Sequence, residues 1–222
     1  MKKVVITIDG PTGTGKSTTA KLLANKLKFD YIDSGFYYRA ITHQALLDKL
    51  KPNDIHKLSE MAKKINLEFR DDSVFMNGEE VTETLRSFDI TNKVAGISKI
   101  KQLRKIVNDK LKNYHFDNGL VIDGKDMCTN VFPDANAKFY LVCDFDARVA
   151  RRQQEFLDHG HKIMKDKIAL ELKKRDEIDL KHTGGVTRKT QDIIEVDTTN
   201  MIIEEQVDFL YRKILSLNIL NN

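Results

Sequence analysis

The sequence predicts an α/β protein whose core is a parallel β-sheet flanked by helices. A run of β-branched residues at 4–8 is followed by a glycine-rich loop and by a helical pattern over 16–27. Farther along, short apolar runs alternate with helical patterns, which predicts strands joined by crossover helices and therefore parallel pairing. Residues 67–78 differ, because two short apolar segments flank turn-forming residues and predict a small antiparallel insert.

The individual elements are predicted in chain order from composition and periodicity. Each strand is a short apolar run, and two of these runs end at an aspartate, Asp33 and Asp123. Because the glycine-rich loop follows the first strand, we expect the ligand site at the carboxyl edge of the sheet. Strands are predicted at residues 4–8, 29–32, 67–69, 74–76, 119–124, 137–144 and 192–196, and helices at residues 16–27, 36–65, about 86–114, 145–158, 164–179 and 202–217.

The composition is that of a globular protein of one domain. The chain has 222 residues, of which 41% are hydrophobic and 32% charged, and this is enough to bury a core. No apolar run approaches ~20 residues, so we expect no membrane span, and the first residues lack the pattern of a signal peptide. Cys128 and Cys143 have no metal-ligand spacing and are expected to be reduced thiols of a cytoplasmic protein.

Positive charge is concentrated in one segment. The formal net charge is +4, yet residues 148–189 alone contain twelve Lys or Arg and seven Asp or Glu. A basic segment of this kind is compatible with a nucleic acid or with a small polyanion. Because the basic residues are interleaved with acids and have no aromatic platform among them, the sequence favours the small polyanion.

The glycine-rich loop predicts a site for a nucleoside triphosphate. Gly10, Gly15, Lys16 and Ser17 match the pattern G-x-x-x-x-G-K-[S/T] between a strand and a helix, the context that separates this motif from a chance glycine loop. The loop N–H groups and the helix N-terminus form a cradle for anions. Lys16 is expected at the β- and γ-phosphates and Ser17 at Mg²⁺, held as Mg-ATP. The predicted ATP-binding residues are Gly10, Pro11, Thr12, Gly13, Thr14, Gly15, Lys16, Ser17 and Thr18.

Four later segments bear on the phosphate acceptor. They are "YIDSGFYYRA" (31–40), "IDGKDMCTNVFPDANAKFYL" (122–141), and "RDEID" (175–179) followed by "VDTT" (196–199). Together with the loop they resemble the bacterial cytidylate kinases, a branch of the nucleoside monophosphate kinases, as far as about residue 205. The family forms are D-[S/T]-G-x-x-Y-R, G-R-D-x-G-T-x-V-F-P-D-A, R-D-x-x-D-x-x-R and D-[S/T]-T, of which the second is specific to this branch.

The resemblance implies how the domain is organised. It implies a single nucleoside monophosphate kinase domain over residues 1–222, with a P-loop sheet core, a small antiparallel insert that binds the acceptor and a helical lid. The core is assigned to residues 1–35, 115–147 and 190–222. The insert is assigned to about 36–114 and the lid to about 148–189.

The resemblance also implies an activity, which is transfer of the γ-phosphoryl group of ATP to CMP or dCMP. Cytosine offers an exocyclic amino donor and acceptors at O2 and N3, which suit a carboxylate and a guanidinium. These two roles map to Asp126 and Arg104, while Ser34 maps to a ribose contact and Arg39 to a nucleotide phosphate. The implied catalytic residues are Lys16, Arg148, Arg151 and Arg175, and the implied substrate-binding residues further include Lys125, Arg175, Asp179 and His182.

Several of these residues have a structural alternative. Arg39 and Arg104 are also compatible with exposed helix charges, and Asp126 is compatible with a turn residue. Two further pairs have two interpretations each: Asp33 and Asp123 either position Mg²⁺-bound water or cap loops, and Thr198 and Thr199 either lie beside the adenine or N-cap the next helix.

Five positions depart from the family pattern. Lys125 stands where the family has Arg, and a lysine cannot form the bidentate fork of a guanidinium. Cys128 replaces a glycine, Phe36 replaces a small residue, and Ala95 lies near a position where serine is common. His182 stands where the lid motif ends in Arg. These changes leave the chemistry of the loop intact and place the choice of acceptor in question.

Two other functions are compatible with these departures. One is a kinase for a different small nucleotide acceptor, and the other is a weakly catalytic relative that binds nucleotides or RNA. The first expectation remains a monomer that acts on ATP and CMP or dCMP, with no membrane partner and no nucleic acid. Salt-dependent binding of a polynucleotide without phosphoryl transfer would favour the last alternative.

Overall fold

The computed structural model describes residues 3–70, 72–158, 160, 162–182 and 192–220. The chain forms two compact units. The first, here called the sheet unit, comprises Met1–Ile32 and Phe116–Asn222, and the second unit comprises Asp33–His115. Among the helices in these described residues, none combines the length and the apolar composition needed to cross a membrane.

The strands and helices alternate in the sheet unit and are more irregular in the second unit. The strands are β1 Val4–Asp9, β2 Asp30–Asp33, β3 Leu67–Arg70, β4 Ser73–Met76, β5 Glu79–Glu80, β6 Gly119–Gly124, β7 Ala137–Val142 and β8 Ile193–Asp197. The helices are α1 Lys16–Leu27, α2 Gly35–Leu47, α3 Ile55–Lys64, α4 Thr82–Arg86, α5 Phe88–Ser98, α6 Lys101–Lys112, α7 Phe145–Asp158, α8 Lys165–His182 and α9 Ile203–Ser216.

The main sheet has the strand order β2-β6-β1-β7-β8. Strand β1 pairs in parallel with β6 and β7, and β8 pairs in parallel with β7. The register sets Ile8 beside Asp123 and Asp9 beside Tyr140, so the ends of these strands share one edge. The predicted α/β fold with a parallel core sheet is confirmed, and the phosphate loop leaves the sheet at its carboxyl edge as expected.

Buried apolar side chains on both faces of the sheet explain why its strands are continuous apolar runs. Ile6 of β1 and Phe139 of β7 have no exposed surface on one face, and Leu120 of β6 has none on the other. Helices α1 and α9 contribute to the same core, in which Leu23 and Leu210 are also fully buried. A strand buried on both faces has no polar alternation, and this is the pattern that parallel sheets require.

Helices α7 and α8 pack on each other through a small cluster of their own. Val149 and Phe156 of α7 contact Ile168 and Leu172 of α8, and all four side chains are buried. This contact fixes which faces of the two helices meet, and so determines where their charged residues lie.

An aromatic cluster occupies the second unit. The ring centroid of Phe69 in β3 lies 6.4 Å from Phe36, 6.1 Å from Tyr37 and 6.1 Å from Tyr114. Burial raises the pKa of Tyr37 to about 12. Phe36, which departs from the family pattern, is a buried core residue of this unit, and the Arg86 guanidinium lies 5.6 Å from its ring centroid.

The long helical patterns of the second unit are interrupted in the structure. The stretch predicted as helix over 36–65 divides into α2 and α3, and the link between them contains Pro52, whose missing N–H and fixed φ oppose a continuous helix. The stretch 86–114 divides into the end of α4, α5 and α6, with extended backbone at Ser87 and Ile100. The antiparallel insert is present as β3-β4-β5, although strand β5 was not predicted.

Candidate active site

Glycine is required at two points of the phosphate loop. A Cβ at Gly10 would lie 2.5 Å from the carbonyl oxygen of Leu141, which no side chain tolerates. Gly15 has φ of 90° and is the residue from which α1 begins, a left-handed conformation that glycine adopts without a steric penalty. The loop therefore approaches β7 closely and then turns its N–H groups toward the start of α1.

Lys16 and Ser17 are the first two residues of α1, and they make different contacts. The Lys16 ammonium donates to the carbonyl of Pro11 at 3.4 Å, a long bond within the loop itself. The Ser17 hydroxyl donates to Oδ2 of Asp123 at 2.7 Å, and Tyr31 donates to Oδ1 of the same carboxylate at 2.8 Å. Asp123 at the end of β6 thus fixes the orientation of the serine that is predicted to bind Mg²⁺.

Asp33, which the sequence paired with Asp123 as a candidate for positioning Mg²⁺-bound water, makes a local contact. Its Oδ1 accepts the backbone N–H of Gly35 at 2.8 Å. This bond to a residue two positions later is the loop-capping arrangement. Asp33 and Asp123 therefore have different roles in the structure, since Asp123 contacts two hydroxyl groups from distant parts of the chain.

A cavity of about 270 Å³ opens next to the loop within the sheet unit. Its volume is near the lower end of the range for small-ligand sites, roughly 300–1,000 Å³. Four charged side chains lie in its wall, and we refer to them as the ion-paired cluster. The full lining is Gly10, Pro11, Lys125, Tyr140, Arg148, Asp176 and Asp179, and the ion-paired cluster is Lys125, Arg148, Asp176 and Asp179.

Arg148 joins the phosphate loop to helix α8. Its two terminal nitrogens donate to the carboxylate of Asp176 at 3.1 and 2.7 Å, a bidentate arrangement. One of them also donates to the carbonyl of Thr12 in the loop at 3.2 Å. The Nε of Arg148 is buried and makes no hydrogen bond within the described structure. One donor of this buried guanidinium is therefore available beside the loop.

Arg151 contacts backbone oxygens from two segments. Its guanidinium donates to the carbonyls of Thr14 at 3.2 Å, Thr199 at 3.3 Å and Met201 at 3.2 Å. Thr198 adds to this link, because its hydroxyl donates to the Thr14 carbonyl at 3.1 Å. Arg151 thus connects the phosphate loop with residues 198–201.

The helix-capping alternative for Thr198 and Thr199 was wrong. Helix α9 begins at Ile203, after Ile202 as its N-cap residue. The Thr199 hydroxyl donates to Asp197 at 2.6 Å instead. Both threonines lie in the loop that Arg151 contacts.

Lys125 forms an ion pair with Asp179, across the gap between the end of β6 and α8. Burial lowers the pKa of Lys125, and Lys16 and Arg175 lower it further, while Asp179 acts in the opposite direction. Arg175 pairs with Glu171 at 2.9 Å, and burial lowers its pKa as well. Positive groups are crowded at this point, which favours an anionic ligand.

Asp126 is buried and immediately precedes a single π-helical turn, Met127–Val131. The Asn130 side-chain amide donates to its Oδ2 at 3.1 Å, and the Asn130 N–H donates to its carbonyl at 2.9 Å. The π-turn was not predicted. π-Turns are rare and often occur at functional sites, and this one fixes the orientation of the carboxylate.

Three predicted acceptor residues belong to the second unit. Arg39 donates to the carbonyl of Leu85 at 2.9 Å and to the hydroxyl of Thr91 at 2.8 Å. Arg104 donates to the carbonyl of Ser98 at 3.2 Å. Both arginines are partly exposed. Ser34 is buried just before α2.

The remaining lid residues are described in part. The His182 side chain lies outside the described residues, as does most of the segment that follows it.

Cys128 and Cys143 are both free thiols. Cys128, which departs from the family pattern, is buried against β1, where the Thr7 hydroxyl donates to its sulfur at 3.2 Å.

Sequence reasoning missed three residues of this region. Asp176 follows Arg175 in the quoted motif, so a search for acidic partners of the lid arginines would have found it. Asp9 ends the first strand, directly before Gly10, which is a detectable signal. Nothing in the sequence indicates that Tyr140 belongs to the site, because it occurs as one more apolar residue within a predicted strand.

Comparison with known proteins identifies relatives along almost the whole chain. The family model for cytidylate kinase matches residues 6–216. A cytidylate kinase of Clostridioides difficile is 34% identical over 214 residues, covering 96% of this chain and 99% of the relative. A cytidylate kinase of Listeria monocytogenes is 37% identical over 219 residues, covering 97% and 96%.

Among solved structures, an uncharacterized protein from Eubacterium ventriosum has a TM-score of 0.54 at 13% identity, covering 97% of this chain and 99% of its own. At that identity the likeness concerns the fold alone. The family model and the two relatives cover the loop, the π-turn and the ion-paired cluster. The chain belongs to the cytidylate kinase family.

Proposed function

We propose that this protein transfers the γ-phosphoryl group of ATP to CMP or dCMP, giving ADP and CDP or dCDP. One observation carries the proposal: the Lys16-Ser17 start of α1, with Ser17 bonded to Asp123, occurs in a chain that belongs to the cytidylate kinase family. Phosphoryl transfer needs in-line positioning and positive charge around the moving group rather than covalent chemistry. The residues of the sheet unit supply that charge.

The donor side of the proposed reaction uses the phosphate loop. The N–H groups of residues 10–18 bind the phosphates of ATP, and Lys16 meets the charge of the β- and γ-phosphates. The Lys16–Pro11 bond is long at 3.4 Å, so moving the ammonium to a phosphate oxygen costs little. Residues 198–201, linked to the loop by Arg151, are proposed to lie beside the adenine.

Mg²⁺ fits the donor set at the start of α1. Ser17 offers a hydroxyl oxygen, and the buried Asp123 carboxylate 2.7 Å away can accept a hydrogen bond from that hydroxyl or from a metal-bound water. Bound there together with ATP, Mg²⁺ would supply positive charge that offsets the negative charge of the phosphates during transfer. Ser17 is the proposed protein ligand, and Asp123 orients it.

On the acceptor side, the proposed residues are those that the family resemblance assigns. Asp126 is proposed to accept from the exocyclic amino group of cytosine, and Arg104 to donate to O2 and N3. Arg39 is proposed to bind the acceptor phosphate and Ser34 the sugar. The fixed orientation of the Asp126 carboxylate, held by Asn130, supports its assignment because base recognition needs a preset acceptor.

The lid is proposed to contribute further cations. Arg148 has a buried donor beside the loop that makes no hydrogen bond in the described structure, and a phosphate oxygen would satisfy it. Arg175 and Lys125 are proposed to contact phosphates, with Asp179 at the sugar and His182 at a phosphate. In this proposal a phosphate of the ligand replaces Asp179 as the ion-pair partner of Lys125, so the ion-paired cluster rearranges when the substrates bind.

A screen of acceptors tests the proposed function. The protein is incubated with ATP, Mg²⁺ and each ribo- or deoxyribonucleoside monophosphate, and the released ADP is measured. We expect CMP and dCMP to be the best acceptors, with UMP roughly ten- to a hundredfold slower because its O4 faces Asp126 as a second acceptor. Equal turnover of UMP and CMP, or faster turnover of a purine, would reject the assignment. The Lys16→Ala variant serves as the blank for contaminating kinases.

The proposal also covers partners and location. We propose a monomer that acts on small nucleotides in the cytoplasm, without a membrane or nucleic-acid partner. Mass measurement in solution, with and without ATP and CMP, tests the monomer. Binding of a labelled polynucleotide at low and high salt tests the absence of a nucleic-acid partner.

A further inference from the structure

Asp9 is a buried carboxylate to which the proposed mechanism gives no task. It is the last residue of β1, only 1% of its surface is exposed, and the phosphate loop begins at the next residue. Its Oδ1 accepts the backbone N–H of Met127 at 3.0 Å, and its Oδ2 accepts that of Cys128 at 2.8 Å. Both donors are more than a hundred positions away in the sequence, so this is a tertiary contact.

The two N–H groups that Asp9 binds are the first two of the π-turn. The N–H groups at the start of any helical turn have no partner within it, and here one carboxylate satisfies both. Asp126 immediately precedes these two residues, and its carbonyl accepts the N–H of Asn130 at 2.9 Å. The orientation of Asp126 therefore depends on the position of a turn that Asp9 holds to the end of β1.

We infer that Asp9 is a positioning residue that sets the Asp126 carboxylate for recognition of the acceptor base. The inference rests on the proposed function, in which Asp126 accepts from the exocyclic amino group of cytosine. A carboxylate that only stabilised the fold would affect all substrates alike. A positioning residue instead changes the preference between bases and leaves the use of ATP almost unchanged.

Asp9→Asn is the informative substitution, because it keeps the size of the side chain. Its amide oxygen can accept one of the two N–H groups, but its NH₂ group then faces the other N–H, and two donors cannot bond to each other. The start of the turn must shift, and Asp126 shifts with it. Thr7→Val is the matched control: it removes the bond from the Thr7 hydroxyl to Cys128 and keeps both bonds to Asp9.

The experiment compares kcat/KM for CMP with kcat/KM for UMP in the wild type, Asp9→Asn and Thr7→Val, together with KM for ATP. We expect Asp9→Asn to lose at least roughly tenfold of the CMP preference, with KM for ATP within about threefold of wild type. Thr7→Val should keep the wild-type ratio. Circular dichroism checks that each variant is folded, and Asp9→Ser, which can accept one N–H through its hydroxyl, replaces Asp9→Asn if that variant does not fold.

Three results would overturn the inference. They are an unchanged CMP preference in the Asp9 variant, an equal loss for CMP and ATP, and the same loss of preference in Thr7→Val. A wild type that prefers another acceptor would reject the proposed function alone. The same comparison, made between that acceptor and the next-best base, would then decide whether Asp9 sets base preference.

Discussion

The phosphate loop and the ion-paired cluster are neighbours in the sheet unit, yet they are built in different ways. In the loop, positions are set by backbone conformation, such as the close approach of Gly10 to the Leu141 carbonyl. In the cluster, positions are set by side chains from distant segments: Lys125 and Asp179 are 54 positions apart, and Arg148 and Asp176 are 28 apart. Backbone geometry is rigid, whereas an ion pair can exchange its partner for a ligand.

This difference indicates a division of labour. The loop holds its N–H groups ready for phosphate with or without ligand, since no side chain has to move. In the cluster, Asp176 and Asp179 pair with cations that, in our proposal, contact the substrates. Carboxylates in these positions keep buried positive charges paired, which stabilises the unliganded protein and sets a cost for ligand binding.

The largest effect is expected from the loop. Lys16→Ala should lower kcat/KM by at least roughly a thousandfold, about 4 kcal/mol, because a charge next to the transferred phosphoryl group is lost. The melting temperature should stay nearly unchanged, since among the described residues the lysine makes a single long hydrogen bond. Initial rates and thermal unfolding measure the two quantities. Activity within tenfold of wild type would mean that the loop is not the catalytic cradle.

A second test concerns Asp9, the last residue of β1, which directly precedes the phosphate loop. Burial raises the pKa of Asp9 from 3.8 to about 6, and the bonds from Cys128 and Met127 only partly offset this. The folded state therefore binds the proton more tightly than the unfolded chain. The contribution of Asp9 to the free energy of unfolding is fully present below pH ~4 and is lost as the pH rises through ~6, a change on the order of 3 kcal/mol.

Urea unfolding of wild type and Asp9→Asn at pH 4 to 7 measures that contribution. The difference between the two free energies of unfolding removes the titration of every other group. We expect the free energy of unfolding of the wild type to fall relative to that of Asp9→Asn as the pH rises from 4 to 7. Parallel curves would show that the Asp9 carboxylate titrates as it does in the unfolded chain.

The third prediction distinguishes an effect on the phosphate acceptor, CMP, from an effect on the phosphate donor, ATP. Asp126→Asn should lower the CMP preference over UMP by roughly ten- to a hundredfold, about 1–3 kcal/mol, because the amide offers a donor where cytosine also offers one. KM for ATP should change little. Asn130→Ala, which removes one bond to the carboxylate, is the conservative control and should give a smaller loss in the same direction. A matched loss for ATP and CMP would assign Asp126 a structural role.

Sequence reasoning reached those features that are local in the chain. The loop and the strands of the core sheet follow from patterns within a few residues, and the structure confirms the fold class. The long helical pattern over 36–65 was misjudged because periodicity does not register the break at Pro52. The π-turn after Asp126 is held by Asp9, whose carboxylate accepts hydrogen bonds from the backbone N–H groups of Met127 and Cys128. No local sequence pattern encodes a contact between residues so far apart in the chain.

The site residues show the same distinction between local sequence patterns and tertiary contacts. Lys16 and Ser17 were predicted from spacing alone, whereas the structural role of Asp176 follows from its bidentate contact with Arg148. Phe36 was identified from the sequence as a departure from the family pattern, and the structure describes it as part of an aromatic core. Motifs indicate which residues matter, and tertiary contacts decide what each of them does.

The smallest effect should come from Lys125→Arg, which restores the family residue within the ion-paired cluster. Near neutral pH, kcat/KM for CMP should differ only by a few-fold, because lysine and arginine both present a basic group to the same ion pair. Burial lowers the pKa of Lys125 below its ordinary value of 10.5, so the wild type should lose activity earlier than the variant as the pH rises toward 10. Arginine stays charged throughout this range. Because substrates and assay are the same for both proteins, the difference between their pH profiles isolates position 125. Superimposable profiles would mean that the charge of Lys125 is not used in turnover, and that its ion pair with Asp179 serves only to stabilise the cluster.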